Sequence, residues 1–305
     1  MSKSVITDGL LTAIADAIRA KTGDEGTLTP AEMAQAIEDL PEGAAEPYVE
    51  YTFEHGFVKT AILHGLTEIP AYFLGHTSGN PGQLTSIDIP EGVTSIGQNA
   101  FSLSGLRQVS LPSTLFSIGN EAFANCGLSQ IDIPAGVRQI GNGAFKSCTS
   151  LTSIVLPEAL TTTNVDSGSM FSGCTYLVSC NIPSGMTLIP SYCFSGCTRL
   201  VMTEIPAHVT QINAAAFQNC KGLTSIDILG ATNIPQSSAF GGCTNLKTVR
   251  FHDTPSAIHV SAFPTAVTNI YVPWASGAVA GAPWGATNAS IHYDTQYDAD
   301  GNVIS

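Results

Sequence analysis

Seven histidines and eight cysteines are the residues of this chain best suited to chemistry, and their spacing argues against most of it. The histidines stand at 55, 64, 76, 208, 252, 259 and 292. None forms a His-Glu-x-x-His pattern, the spacing that sets two imidazoles on one helix face around zinc. No Cys-x-x-Cys pair exists, although Cys193 and Cys197 lie four apart. There is no Gly-x-Ser-x-Gly elbow to expose a nucleophile and no glycine-rich loop to cradle a phosphate. His252 and Asp253 are adjacent after a predicted strand, a weak proton-relay pair. Asp298-x-Asp300-Gly-Asn302 opens like a calcium loop but lacks the distal glutamate, so a turn is the simpler reading. Trp274 and Trp284 would stack on a sugar ring if exposed; packing in a core or cap is the alternative. The expectation is a binding protein with no catalytic residues, no metal and no cofactor.

The elements that position these residues repeat. Ala100-Phe101, Ala122-Phe123, Ala144-Phe145, Ala216-Phe217, Ala239-Phe240 and Ala262-Phe263 are one dipeptide recurring, and Phe73, Phe171 and Phe194 complete the series. From Phe73 onward the gaps are 28, 22, 22, 26, 23, 23, 23 and 23 residues. A period in the low twenties predicts a solenoid, because one such unit cannot bury its own apolar face and must stack on its neighbours. In one unit Ile131 and Ile133 share a strand face, Pro134 ends the strand, and Val137 and Ile140 mark a second short segment on the opposite wall. Ala144-Phe145 then falls in a tight or helical turn. Strands are predicted at 84–89, 106–111, 128–133, 151–156, 177–182, 200–205, 223–228, 246–251 and 267–272, with an insert at 75–82.

The cysteines follow this period. Cys126, Cys148, Cys174, Cys197, Cys220 and Cys243 each lie three residues after a repeat Phe. Stacking puts them in a ladder about 4.8 Å apart with parallel Cβ vectors, poor geometry for a disulfide. A reduced structural ladder is expected, with Cys180 and Cys193 as core positions.

These residues resemble the BspA-like class of leucine-rich repeats, known from bacterial surface proteins and some phage proteins. The resemblance covers about residues 50–275. It implies a repeat solenoid of leucine-rich-repeat type with a parallel sheet and short turns, and a general binding role without a specified ligand.

Residues 1–43 depart from the repeat. Leu11, Ile14 and Ile18 line one helical face, with Asp8 as N-cap. Thr29-Pro30-Ala31-Glu32 is a capping box opening a second helix with Met33 and Ile37 on its apolar face. A helical hairpin for attachment or oligomerisation is expected, joined to a solenoid over 44–275, with a C-terminal cap at 276–305 containing a β-hairpin. The stretch 11–37 resembles N-terminal segments of prophage tail or fibre-like proteins. That likeness implies attachment to other virion or tail proteins, or a homo-oligomer. The opening Met1-Ser-Lys-Ser-Val5 lacks the basic start and apolar run of a secretory signal. The expectation is therefore a virion protein made in the host cytoplasm, with a bacterial cell-surface adhesin or interaction scaffold as the alternative and an enzyme acting on carbohydrate as the third reading.

Composition narrows the partners. Twenty-four acidic residues against 11 basic ones give a net charge of −13 with no basic cluster, which disfavours nucleic acid and anionic lipid. No apolar run is long enough to span a membrane. The candidate binding surface is the outward row of the sheet, one residue per repeat: Asp88, Ser110, Asp132, Val155, Asn181, Glu204, Asp227, Arg250 and Tyr271. Its polar mixture suits a glycan or a protein on a bacterial surface. A solvated wall that discourages aggregation is the plainer reading.

Overall fold

The computed structural model describes residues 4–7, 48–54, 57–74, 84–161, 168–298 and 300–304. The expected helices of 1–43, with Leu11, Ile14, Ile18, Met33 and Ile37, and the insert at 75–82 lie outside them. No helix occurs among the described residues.

The repeats stack as a solenoid with two walls. The first wall carries Ser86–Asp88, Gln108–Ser110, Ser153–Ile154, Ser179–Cys180, Glu204–Ile205, Ser225–Ile228, Thr248–Phe251, Asn269–Tyr271 and Ser290–His292. The second carries Glu68–Ile69, Ser95–Ile96, Ser117–Ile118, Gln139–Ile140, Leu188–Ile189 and Gln211–Ile212. Within each wall the strands pair in parallel, as in Asp227 opposite Arg250 and Ile118 opposite Ile140. Most first-wall strands are short because a proline follows six of the nine and has no N–H to continue the ladder.

Between the walls the apolar residues alternate inward. Phe101, Phe123, Phe145, Phe171, Phe194, Phe217, Phe240 and Phe263 form a continuous stack with ring centroids 5.1–5.8 Å apart. Each is nearly or fully buried and contributes about 1.5–3 kcal/mol by leaving water. The Ala-Phe segment is a turn, with left-handed residues at Asn99 and Glu121 before the Ala and at Ser169 before Met170 in its place. Backbone bonds from Phe N–H to the next repeat's Ala carbonyl, such as Phe123 to Ala144 at 2.8 Å, tie these turns together. Gly97, Gly119 and Gly141 let the backbones approach: a Cβ on Gly119 would stand 2.7 Å from the carbonyl carbon of Gly97.

Both ends differ from the sequence expectation. Tyr48–Glu54 and Phe57–His64 form an antiparallel hairpin rather than the first repeat, and Ser4–Thr7 pairs antiparallel with its outer strand. The hairpin joins the first wall where Ile62 meets Asp88. At the other end the repeat continues past residue 275. Phe263 N–H donates to the Trp284 carbonyl, so Trp284 holds the backbone place of Ala in the next turn. Ser290–His292 then adds a parallel strand instead of opening a hairpin. The antiparallel closure is smaller, a bridge between Tyr297 and Val303 around Gly301.

Candidate functional site

The cysteine ladder is structural. The Sγ of Cys126, Cys148, Cys174, Cys197, Cys220 and Cys243 each lies 3.0–3.1 Å from the carbonyl of a Phe in the preceding repeat and donates to it. All eight cysteines are free thiols. Burial pushes the thiols of Cys126, Cys174 and Cys243 up to about 12, and the other five rise for the same reason. A neutral thiol held against a carbonyl is a poor nucleophile and a poor metal ligand.

The tryptophans are core, which corrects the sugar-stacking alternative. Trp284 is fully buried and Trp274 is 5 % exposed. Phe251, Trp274 and Trp284 pack edge-on or tilted with centroids 5.3–6.5 Å apart and seal the last turn. Asp298 closes the terminal turn, its Oδ1 accepting from the backbone N–H of Asp300 and Asn302. The Asn302 side-chain amide, which donates to the Asp298 carboxyl, and then these backbone bonds hold that carboxyl below the usual range, and together they account for the Asp-x-Asp-Gly-Asn pattern as a turn.

The outward row divides into three stretches, and strand pairing fixes its register in the first, between Asp88 and Ser110, and throughout the last, from Glu204 to His292. At the start Asp88, Ser110 and Asp132 are exposed, and Ser110 Oγ donates to Asp88 Oδ1 at 2.7 Å. In the middle Asn181 is absorbed by the backbone: its Oδ1 accepts from Leu156 N–H at 2.7 Å and its Nδ2 donates to Leu156 O at 2.9 Å. Exposed valines lie around it: Val155 on the preceding rung is 72 % exposed, with Val178 on the same rung and Val201 on the next. At the end Glu204, Asp227, Arg250, Tyr271 and His292 stand in consecutive register.

That last stretch concentrates the chemistry. Arg250 Nη1 lies 3.2 Å from Asp227 Oδ2, and His252 Nε2 lies 3.0 Å from Asp227 Oδ1. His252 therefore pairs with Asp227 of the preceding repeat, not with Asp253, whose Oδ1 accepts from Thr254 N–H. His252 occupies the place of proline in most repeats, and its N–H extends the ladder to Ile228 O. Tyr297 stacks on His252 with centroids 4.1 Å apart, and Tyr271 stacks on His292 at 4.3 Å. The Tyr297 hydroxyl is buried without a hydrogen-bond partner, and desolvation, then the Asp227 carboxylate, push it up to about 12. No group of three or more metal-ligating side chains occurs among the described residues.

Sequence reasoning singled out Glu204, Asp227, Arg250 and Tyr271, which the structure sets side by side, and did not place three neighbours there. His292 was hidden because the repeat reads as decaying after Phe263. Register alone places His252 one repeat past Asp227, and its occupation of a proline position was the available signal. Nothing in the sequence marks Tyr297.

Fold and site together define a leucine-rich-repeat solenoid with one chemically varied sheet face. The chain belongs to the BspA type leucine rich repeat region family, whose sequence model matches residues 76–170 and 161–271. Among solved structures it is similar to a leucine-rich repeat protein from Eubacterium ventriosum ATCC 27560, with 17% identity, a TM-score of 0.48 and coverage of 82% of this chain and 83% of that one. It is also similar to the T. pallidum leucine rich repeat protein, with 24% identity, a TM-score of 0.42 and coverage of 59% and 72%. A leucine rich cell surface protein from Faecalibacterium prausnitzii A2-165 shares 18% identity over 70% of this chain and 96% of its own, with a TM-score of 0.35. No curated protein matches.

Proposed function

We propose that this chain is a non-enzymatic binding scaffold at a bacterial cell surface, engaging a surface protein or glycan through the outward row of its first wall. One observation carries the reading. Inward and turn positions keep their identity down the stack, whereas the outward position changes at almost every rung, ending Glu204, Asp227, Arg250, Tyr271, His292 in register. A face needed only for solubility tolerates monotony; a recognition face requires variety on a rigid frame. The cysteines, held as neutral thiols inside the stack, support binding rather than turnover.

The test is binding of labelled full-length protein to cells of its own and neighbouring species. Tyr271→Ala and Arg250→Ala should each weaken saturable binding at least tenfold, while Val260→Ala, exposed away from this row, leaves it unchanged. Equal binding by all forms sinks the outward-face assignment.

A second reading has its own observation. The resemblance of residues 11–37 to prophage tail or fibre-like proteins favours a virion part whose receptor-binding solenoid projects from an attached N-terminus. Recovery of the chain in purified phage particles, and not in washed cell envelopes, decides for it.

A further inference from the structure

We infer that the turn beyond the last strand, residues 296–298 and 300–304, is a displaceable strap that lies on the outward face and competes with the partner for it, granted the reading above that this face is the binding face.

The chain leaves the stack after Ser290–His292 and comes back over the preceding rungs. Thr295 N–H donates to Val272 O at 2.9 Å and Asp294 N–H to Trp274 O at 3.2 Å, both one rung back. Tyr297 then stacks on His252, a rung further back, with centroids 4.1 Å apart. Gly301 closes on the same imidazole, since a Cβ there would stand 3.5 Å from His252 Cε1. The turn's backbone bonds run within it: Asp298 N–H to Asn302 O, Gly301 N–H to Asp298 O and Ile304 N–H to Gln296 O. Its seat on the stack is therefore side-chain packing against one imidazole, and it can lift as a unit.

The rung beneath is the one the strap shields. Asp88, Asp132 and Glu204 are exposed on their rungs, whereas the Asp227 side chain keeps 26% of its surface and the His252 side chain 16%. The fit of the strap is also incomplete. The Tyr297 hydroxyl is buried and, among the described residues, has no hydrogen-bond partner, although the Asp227 carboxylate is near enough to act on it. The ring stack favours docking, and stripping a hydroxyl of water without a new bond opposes it. A segment held by such opposing terms belongs to the part of a fold that opens first. Once lifted, it leaves His252 and Asp227 open beside Arg250 and Tyr271. A docked strap lowers the partner's apparent affinity by the fraction of chains it covers.

Two substitutions at one residue test this in the cell-binding assay with the full-length chain. Tyr297→Ala removes the stack, frees the face and should strengthen saturable binding about threefold or more. Tyr297→Phe keeps the ring, deletes the unpartnered hydroxyl, seats the strap more firmly and should weaken binding by a similar factor. A tyrosine that only supports the fold gives weaker binding with Ala and no change with Phe. His252 is a group the strap uncovers, so its own replacement weakens binding. Hydrogen exchange of the free chain is the second readout: Ile304 N–H should exchange faster in Tyr297→Ala and slower in Tyr297→Phe than in the parent. Equal binding and equal exchange in all three forms overturn the strap, as does weaker binding by Tyr297→Ala. If Tyr271→Ala and Arg250→Ala still lose binding in that case, the outward-face reading stands without it. If no form binds, Tyr297→Ala included, both fall.

Discussion

A thiol donating to a carbonyl in a dry interior has one low-energy state, and the alkaline stability of this chain follows from it. Burial holds the folded thiols far above the ordinary range, with Cys126, Cys174 and Cys243 pushed up to about 12, whereas in the unfolded chain they titrate at ~8.5. A raised folded pKa means the stabilisation is fully present below the unfolded value and is lost as pH climbs towards the folded one. Each buried thiol then costs about 1.4 kcal/mol per pH unit over that window. The urea midpoint should be level up to about pH 8 and fall steeply from about pH 9. Cys148→Ala should shallow that fall by one thiol's share. The same change leaves the Phe123 carbonyl without its Sγ donor and should lower stability at neutral pH by about 1–3 kcal/mol. A steep alkaline limb unchanged in Cys148→Ala would mean that tyrosines or lysines dominate it instead.

At the scale of the element, the phenylalanine stack and the outward row share the same rungs but answer to different constraints. Phe171 is fully buried between Phe145 and Phe194 at 5.8 and 5.6 Å. Phe171→Ala should destabilise by about 3–5 kcal/mol and open a protease-sensitive point in mid-stack, because each repeat is held only by its neighbours. His252→Pro tests the opposite wall. It restores the residue type of the other repeats, yet it removes the bond to Ile228 O, the contact to Asp227 and the stack under Tyr297. Binding through the outward face should drop while the thermal midpoint shifts by a few degrees at most. The two residues also mark what the sequence could reveal. Phe171 was legible because a core position repeats its letter, and the same logic gave the thiol ladder and both walls. His252 paired with Asp227 was not legible as a pair, since the contact spans 25 residues and emerges only when the register of two strands is known. The ends were misread for a related reason. Trp284 takes the place of Ala, so the last turn lost its letter while keeping its backbone bond.

On the scale of the whole molecule, charge is the term that no single contact reports. The chain carries 24 acidic and 11 basic residues, a net charge of −13, and the stack, whose rungs lie about 4.8 Å apart, carries part of that acidic excess. Self-repulsion opposes the compact state, and added salt screens it, with the Debye length falling from about 10 Å at 0.1 M to about 3 Å at 1 M. Salt also weakens favourable pairs, but these are few among the described residues. Lys146 and Glu121 are 3.7 Å apart and exposed, a contact worth a few tenths of a kcal/mol, and Arg250 with Asp227 is half-shielded. Repulsion spread over the whole surface should therefore outweigh what screening removes. The urea midpoint should rise as sodium chloride increases from about 0.05 to about 0.5 M, a range over which the Debye length shortens roughly threefold. Urea is the right denaturant because it adds no ions of its own. A midpoint that falls with salt would show that the local pairs around Asp227 hold the C-terminal repeats more strongly than the net charge loosens the stack.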